Sequence, residues 1–107
     1  MPRFLFVAGY SSEGARGLLA AGGTARRAVI EKMVASVGGR LESFDYAFGG
    51  DDLYAIQELP DAKTAAALAL TIKASGVGNV RTVVLMSPEE VDAAAQVHPE
   101  YSPPTTS

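Results

Sequence analysis

Two short stretches hold most of the side chains that could do chemistry. In "AFGGDDLYAI" (47–56), Asp51 and Asp52 are adjacent carboxylates set between two glycines and an aromatic-bearing run. Neighbouring carboxylates can share a proton or hold a cation. They also suit a hairpin turn, where glycines supply positive φ angles and aspartates tolerate them, and the turn is the leading expectation. In "GGTARR" (22–27), Arg26 and Arg27 stand in the first turn of an expected helix, where cations oppose the positive end of the dipole. Something negative should compensate. The candidates are Glu31, one turn on from Arg27, the Asp51 and Asp52 pair across the fold, or an anionic ligand held by helix N-terminal amides, the Thr24 hydroxyl and an arginine. Pairing with a carboxylate leads. Tyr10, at the end of the first strand, could line the same mouth, although a tyrosine there is more often half-buried packing. Tyr10, Thr24, Arg26, Arg27, Asp51 and Asp52 are therefore the candidate ligand-binding residues, and Tyr46 and Tyr54 are read as core aromatics.

Other chemistries find little support. The chain has no cysteine and one histidine, His98, in the tail, so neither a thiolate nucleophile nor a Ser-His-Asp arrangement can be assembled. The glycine pairs follow no phosphate-loop or dinucleotide spacing. No metal, flavin, haem or other cofactor is expected. A net charge of -3 without any basic run argues against a nucleic-acid partner. The apolar run in "MPRFLFVAGY" is too short for a signal-peptide core, and no stretch approaches the roughly 18 apolar residues of a membrane span. A cytoplasmic location without membrane association is the expectation.

These residues must be positioned by a small set of elements. The 107 residues, 48% hydrophobic, predict one domain over 1–97 and a proline-rich polar tail over 98–107, either disordered or pinned to a neighbour through Tyr101. "RFLFVAG" reads as a buried strand, and a short helix over 12–21 should end at Gly22 and Gly23. Thr24 should cap a longer helix whose apolar face is Val29, Ile30, Met33, Val34 and Val37, stopped by Gly38 and Gly39. "RLESFDYAF" and "DLYAIQEL" are two strands, one carrying Phe44, Tyr46 and Phe48 on one side, the other Tyr54 and Ile56. Asp61 caps a second long helix with Ala65, Leu68, Ala69 and Ile72 on one face. "NVRTVVLM" is a fourth strand. Ser87, Pro88 and Glu90 then start a short helix over 89–96 with a capping box.

Strand, helix, strand, strand, helix, strand is the order of a ferredoxin-like βαββαβ sandwich of the α+β class, here with an extra C-terminal helix. Right-handed crossovers put both long helices on one face of the sheet. The first and fourth strands are apolar on two faces, with Leu5 and Val7 opposite Phe4 and Phe6, and Val83 and Leu85 opposite Val80 and Val84. One helical layer cannot cover both. A second subunit packing its sheet against the uncovered face is the economical solution, giving a homodimer or an assembly of dimers.

The pieces "GGTARR", "SVGGRLESF", "FGGDDLYAI", "LPD", "GNVRT" and "SPEEVDAA" occur in the order found in the GYD domain family, which this chain resembles over nearly its whole length. The family's signature glycine, tyrosine and aspartate fall between the second and third strands. Asp52 matches the aspartate, and Asp51 stands in the tyrosine's place. The resemblance implies a ferredoxin-like subunit that dimerises through its sheet, related to the dimeric α/β barrels, and it carries no activity with it. The leading functional expectation is a homo-oligomeric module that binds a small molecule, anionic ones included. The alternatives are a cofactor-free enzyme of the oxygenase or isomerase kind, by fold analogy alone, and a pure assembly unit.

Overall fold

Alternation within the strands decides which residues meet the helices. The computed structural model describes residues 1–104, with elements in the order β1 (Arg3–Tyr10), α1 (Ser12–Ala21), α2 (Gly23–Ser36), β2 (Arg40–Tyr46), β3 (Leu53–Glu58), α3 (Ala62–Ala74), β4 (Gly78–Leu85) and α4 (Pro88–Ala94). The strands form one sheet in the order β2-β3-β1-β4, every neighbouring pair antiparallel. Phe4, Phe6, Ala8 and Tyr10 on β1 lie level with Gln57, Ala55 and Leu53 on β3 and with Val84, Thr82, Val80 and Gly78 on β4. This set faces the helices. The other set, with Leu5 and Val7 level with Ile56 and Tyr54, faces away.

The helices cover one face only. Ile30 and Val34 of α2 and Ala65 and Leu68 of α3 join Phe4, Phe6 and Leu59 in the core, with Met33, Val37, Leu41, Phe44 and Val80 packed around them. Val29, expected on the buried face of α2, is more than half exposed, because it lies on the side turned toward α1. The expected cap of α2 is corrected too. The helix begins at Gly23, and Gly22 (φ 89°) occupies the capping position with no side-chain hydrogen bond. Gly22 takes the left-handed turn between two abutting helices, so Thr24 is already inside the first turn and has no capping geometry to adopt. Gly23 in turn lets the Tyr46 ring close on the helix start, since a Cβ there would stand 2.9 Å from that ring.

α3 starts as expected, with the Asp61 side chain accepting from the Thr64 N–H at 2.8 Å. α4 carries the expected capping box, with Ser87 and Glu90 exchanging hydrogen bonds, but ends at Ala94 rather than at 96. No residue of α4 is buried. The chain from Val83 onward exposes Val84, Met86, Val91, Val97 and Tyr101, and the molecule is drawn out to 61 Å along its longest axis. Of the tail expected over 98–107, residues 105–107 lie outside the described residues. No described helix is long and apolar enough to cross a membrane.

Candidate functional site

The hairpin at 47–52 is closed by the Ala47 N–H donating to the Asp52 carbonyl at 3.0 Å. Its positive φ belongs to Phe48 (56°) and not to Gly49 or Gly50, which overturns the expected division of labour. The reason is the ring: in that conformation Phe48 stacks on Tyr46 at 5.7 Å between centroids and 9° between planes. Phe44 meets the same tyrosine edge-on at 5.4 Å. Stacking of this kind stabilises by about 0.5–1.5 kcal/mol, which offsets part of the cost of about 1–3 kcal/mol for a left-handed residue.

The two carboxylates part company. Asp52 accepts the Tyr10 backbone N–H at 2.7 Å and so clamps the end of β1 to the hairpin. Asp51 pairs with Arg81 at 3.1 Å in an open polar cleft beyond the ends of β1 and β4. Neither compensates the arginines of α2. Arg27 does that within its own helix, with its Nε 3.0 Å from Glu31, a pair more than half exposed on both sides. Among the described residues Arg26 makes no ion pair. Thr24 is exposed, lines no cavity found among the described residues and makes no side-chain hydrogen bond. Among the described residues no group of three His, Asp or Glu side chains could hold a metal.

Between the helices and the sheet lies a narrow cavity of about 30 Å³. Phe6, Ala8 and Ala55 form its floor, and Ile30, Leu68 and Ile72 overhang it from α2 and α3. The sheet is low here because two alanines, Ala8 and Ala55, sit diagonally across β1 and β3 on the covered face. At the inner end is Gln57, 1% exposed, whose amide oxygen and amide nitrogen both lack a partner. At the outer end are Tyr10 and Arg26. The Tyr10 hydroxyl is also buried and makes no well-formed hydrogen bond, although the Tyr46 phenol lies close enough to interact with it. Each stranded polar atom of this kind costs about 1–3 kcal/mol, so the arrangement is unfavourable unless something occupies the space.

Tyr10 is held firmly. Ser11 caps α1 through the Gly14 N–H and also bonds the Gly76 carbonyl, while its N–H reaches the Val77 carbonyl at 3.0 Å. A Cβ at Gly14 or Gly78 would run into the Val77 or Gly9 carbonyl oxygens, so the chain segments beneath Tyr10 touch backbone to backbone. Beside it, the Tyr46 hydroxyl donates to the Gly23 carbonyl at 3.1 Å. Burial, helped by the neighbouring Tyr10 phenol, pushes the Tyr46 phenol up to about 12, with Arg26 opposing in part. The Tyr46 phenol therefore serves as a donor near neutral pH and not as a base. A second groove of about 220 Å³ between α1 and α2 shares the Tyr10, Arg26 and Val77 wall.

Of the six residues singled out in the sequence, the structure brings Tyr10 and Arg26 to the cavity, with Asp52 bonded to the Tyr10 backbone beside them. Gln57 is the member of the site that the sequence motifs miss. A signal for it is present: it is the one polar side chain in the Leu53, Ala55, Gln57 row, and the alternation that points Tyr54 outward points Gln57 in.

The topology and the single helical layer define an α+β chain of ferredoxin-like connectivity. The GYD domain family model matches residues 4–95, and the chain belongs to that family. No curated protein and no solved structure matched it.

Proposed function

We propose that the chain is a small-molecule binding module whose site is the cavity between α2, α3 and the sheet, and that it works as a homodimer of the α/β-barrel type, joined through the uncovered sheet face. The observation that carries the binding reading is Gln57, buried with both amide atoms unpaired in an otherwise apolar space. Cavities of roughly 10–15 Å³ hold one water, so this one has room for about two, or for a slender ligand once the helices move apart slightly. Among the described residues the lining includes no carboxylate and no histidine. The side chains most often used for proton transfer are thus missing from the described lining, which favours binding over catalysis.

The dimer reading rests on the uncovered face. Leu5, Ile56 and Val83 stand abreast there, flanked by Val7 and Tyr54. Charged residues rim this strip: Arg3 grips Glu42 through two nitrogens, and Arg40 reaches Glu42 and Glu58. An apolar centre inside a polar rim is the anatomy of a protein interface.

Nuclear magnetic resonance tests the binding reading through the Gln57 side-chain amide signals. A set of small organic fragments should include some that shift these signals together with those of Ile30 and Leu68. Gln57 signals that respond to no fragment, with long-lived water as the only occupant, would overturn it. Light scattering tests the dimer, and a stable monomer at micromolar concentration would refute it.

A further inference from the structure

We infer that the cavity takes a slender organic monocarboxylate with an oxygen at its far end, the carboxylate on Arg26 beside the Tyr10 hydroxyl and the far oxygen on the Gln57 amide. This rests on the binding reading above and assigns the ligand's chemical class.

The two ends of the cavity differ in charge. Arg26 is the one cation among the described residues of its lining, and no described carboxylate pairs with it, whereas its neighbour Arg27 is matched by Glu31. It stands in the first turn of α2, a helix with no acidic residue in that turn. An anion there would meet the guanidinium. The Tyr10 hydroxyl, buried and without a well-formed hydrogen bond, lines the same end and can donate to the same anion. At the other end no described lining residue is charged. Gln57 offers one acceptor and two donors, which suit a hydroxyl or carbonyl oxygen.

The dimensions between the two ends select the shape. Gln57 and Leu53 lie four residues apart on β3, so the residues that line the two ends of the cavity stand roughly 13 Å apart along the strand. Leu53 is level with Tyr46 and Ala8, close to the mouth. The gap above Ala8 and Ala55 is narrow, and the walls are Phe44, Ile30, Leu68 and Ile72. A ligand must therefore be long in one direction and thin in the others. Ala8, although under the helical layer on a central strand, is only half-buried, which marks the end at which the slot is reached.

Titration calorimetry with hexanol, hexanoate and omega-hydroxyhexanoate separates the possibilities. The hydroxy acid should bind most tightly and the alcohol most weakly. Arg26→Gln should weaken both acids about tenfold and leave the alcohol unchanged, Arg26→Lys should recover part of the loss, and Arg27→Gln should change nothing. Gln57→Met should remove the preference for the hydroxy acid over hexanoate, with both acids still bound. Should hexanol match the acids and Arg26→Gln have no effect, the anion assignment falls while the cavity remains a binding site. The anion assignment falls equally if none of the three binds but other fragments shift the Gln57 amide signals. If no probe and no fragment reaches those signals, both readings fail together.

Discussion

The two faces of the sheet treat polar side chains in opposite ways. On the uncovered face Arg3, Arg40, Glu42 and Glu58 join in one ion-pair network, and Arg81 meets Asp51 in the cleft at its edge. On the covered face Gln57 and the Tyr10 hydroxyl are buried without a well-formed hydrogen bond to any described protein group. Charge that is visible in a sequence is the kind a fold satisfies first, because leaving it unpaired costs most. The buried polar atoms left waiting are uncharged and lie where water can barely follow, while the unpaired Arg26 beside them is only part-buried. A residue already paired in the free protein is accounted for by stability; one that is not points to something the protein has yet to meet.

That contrast can be broken by mutation. The largest effect is expected at Asp52, whose carboxylate receives the Tyr10 N–H. Asp52→Ala should lower unfolding free energy by about 2–3 kcal/mol, as for a lost charged hydrogen bond with its donor left part-buried. Urea denaturation measures it. A change under about 0.5 kcal/mol would mean that water replaces the carboxylate and that the clamp is not structural.

Gln57→Met should act in the opposite direction. Replacing both unpaired amide atoms by an isosteric apolar chain should raise stability by about 1–2 kcal/mol. A loss of stability would show that the amide is already satisfied by ordered water.

The two faces should also titrate at opposite ends of the pH scale. Hydrogen bonding to Arg3 holds the Glu42 carboxyl below its usual range, so its contribution is present above the unfolded value and fades as pH falls through the folded one. Tyr46 runs the other way. Its folded pKa is raised above that of the unfolded chain, so the stability it contributes is whole below about 10 and is lost as pH rises from there toward about 12. Unfolding at high pH should therefore be less steep in Tyr46→Phe, and ultraviolet titration should find the Tyr46 phenol ionising above the usual tyrosine range. The smallest effect is expected at Arg27, whose exposed pair with Glu31 contributes about 0.3–0.5 kcal/mol. Arg27→Ala should be nearly silent in the same denaturation experiment.

Much of the fold was legible because its signals are local. α1 spans 12–21 as the glycine punctuation implies, Asp61 and Ser87 cap α3 and α4, and the connectivity follows from the order of elements. The start of α2 was not legible, since Gly22 works with Gly23 and Gly23 is required by the Tyr46 ring, a contact between residues far apart in the chain. Phe48 is similar: nothing in "AFGGDD" says that an aromatic residue will take the left-handed position while two glycines stand beside it. For the site, the arginine pair in one helical turn is itself a signal that a negative partner is needed, and Arg27 has one within its helix. That Arg26 turns to the cavity depends on where α2 sits over the sheet. Gln57 could be read from alternation alone once β3 is known to present Leu53 and Ala55 to the helices.

The position of β1 has a consequence for the order of events in folding. It is a strand with neighbours on both sides, and its partners come late: Leu5 must wait for Ile56 on one side and for Val83 on the other. During synthesis the earliest strand therefore stays without either neighbour while α1, α2 and β2 emerge. The hairpin of β2 and β3 can form first, because its closure is short. Long-range pairings of this kind slow folding and leave apolar strand edges open in the meantime. For Phe4 to Val7, the window of exposure closes only when β4 has been made, which places the greatest demand for protection from aggregation on the first residues of the sheet.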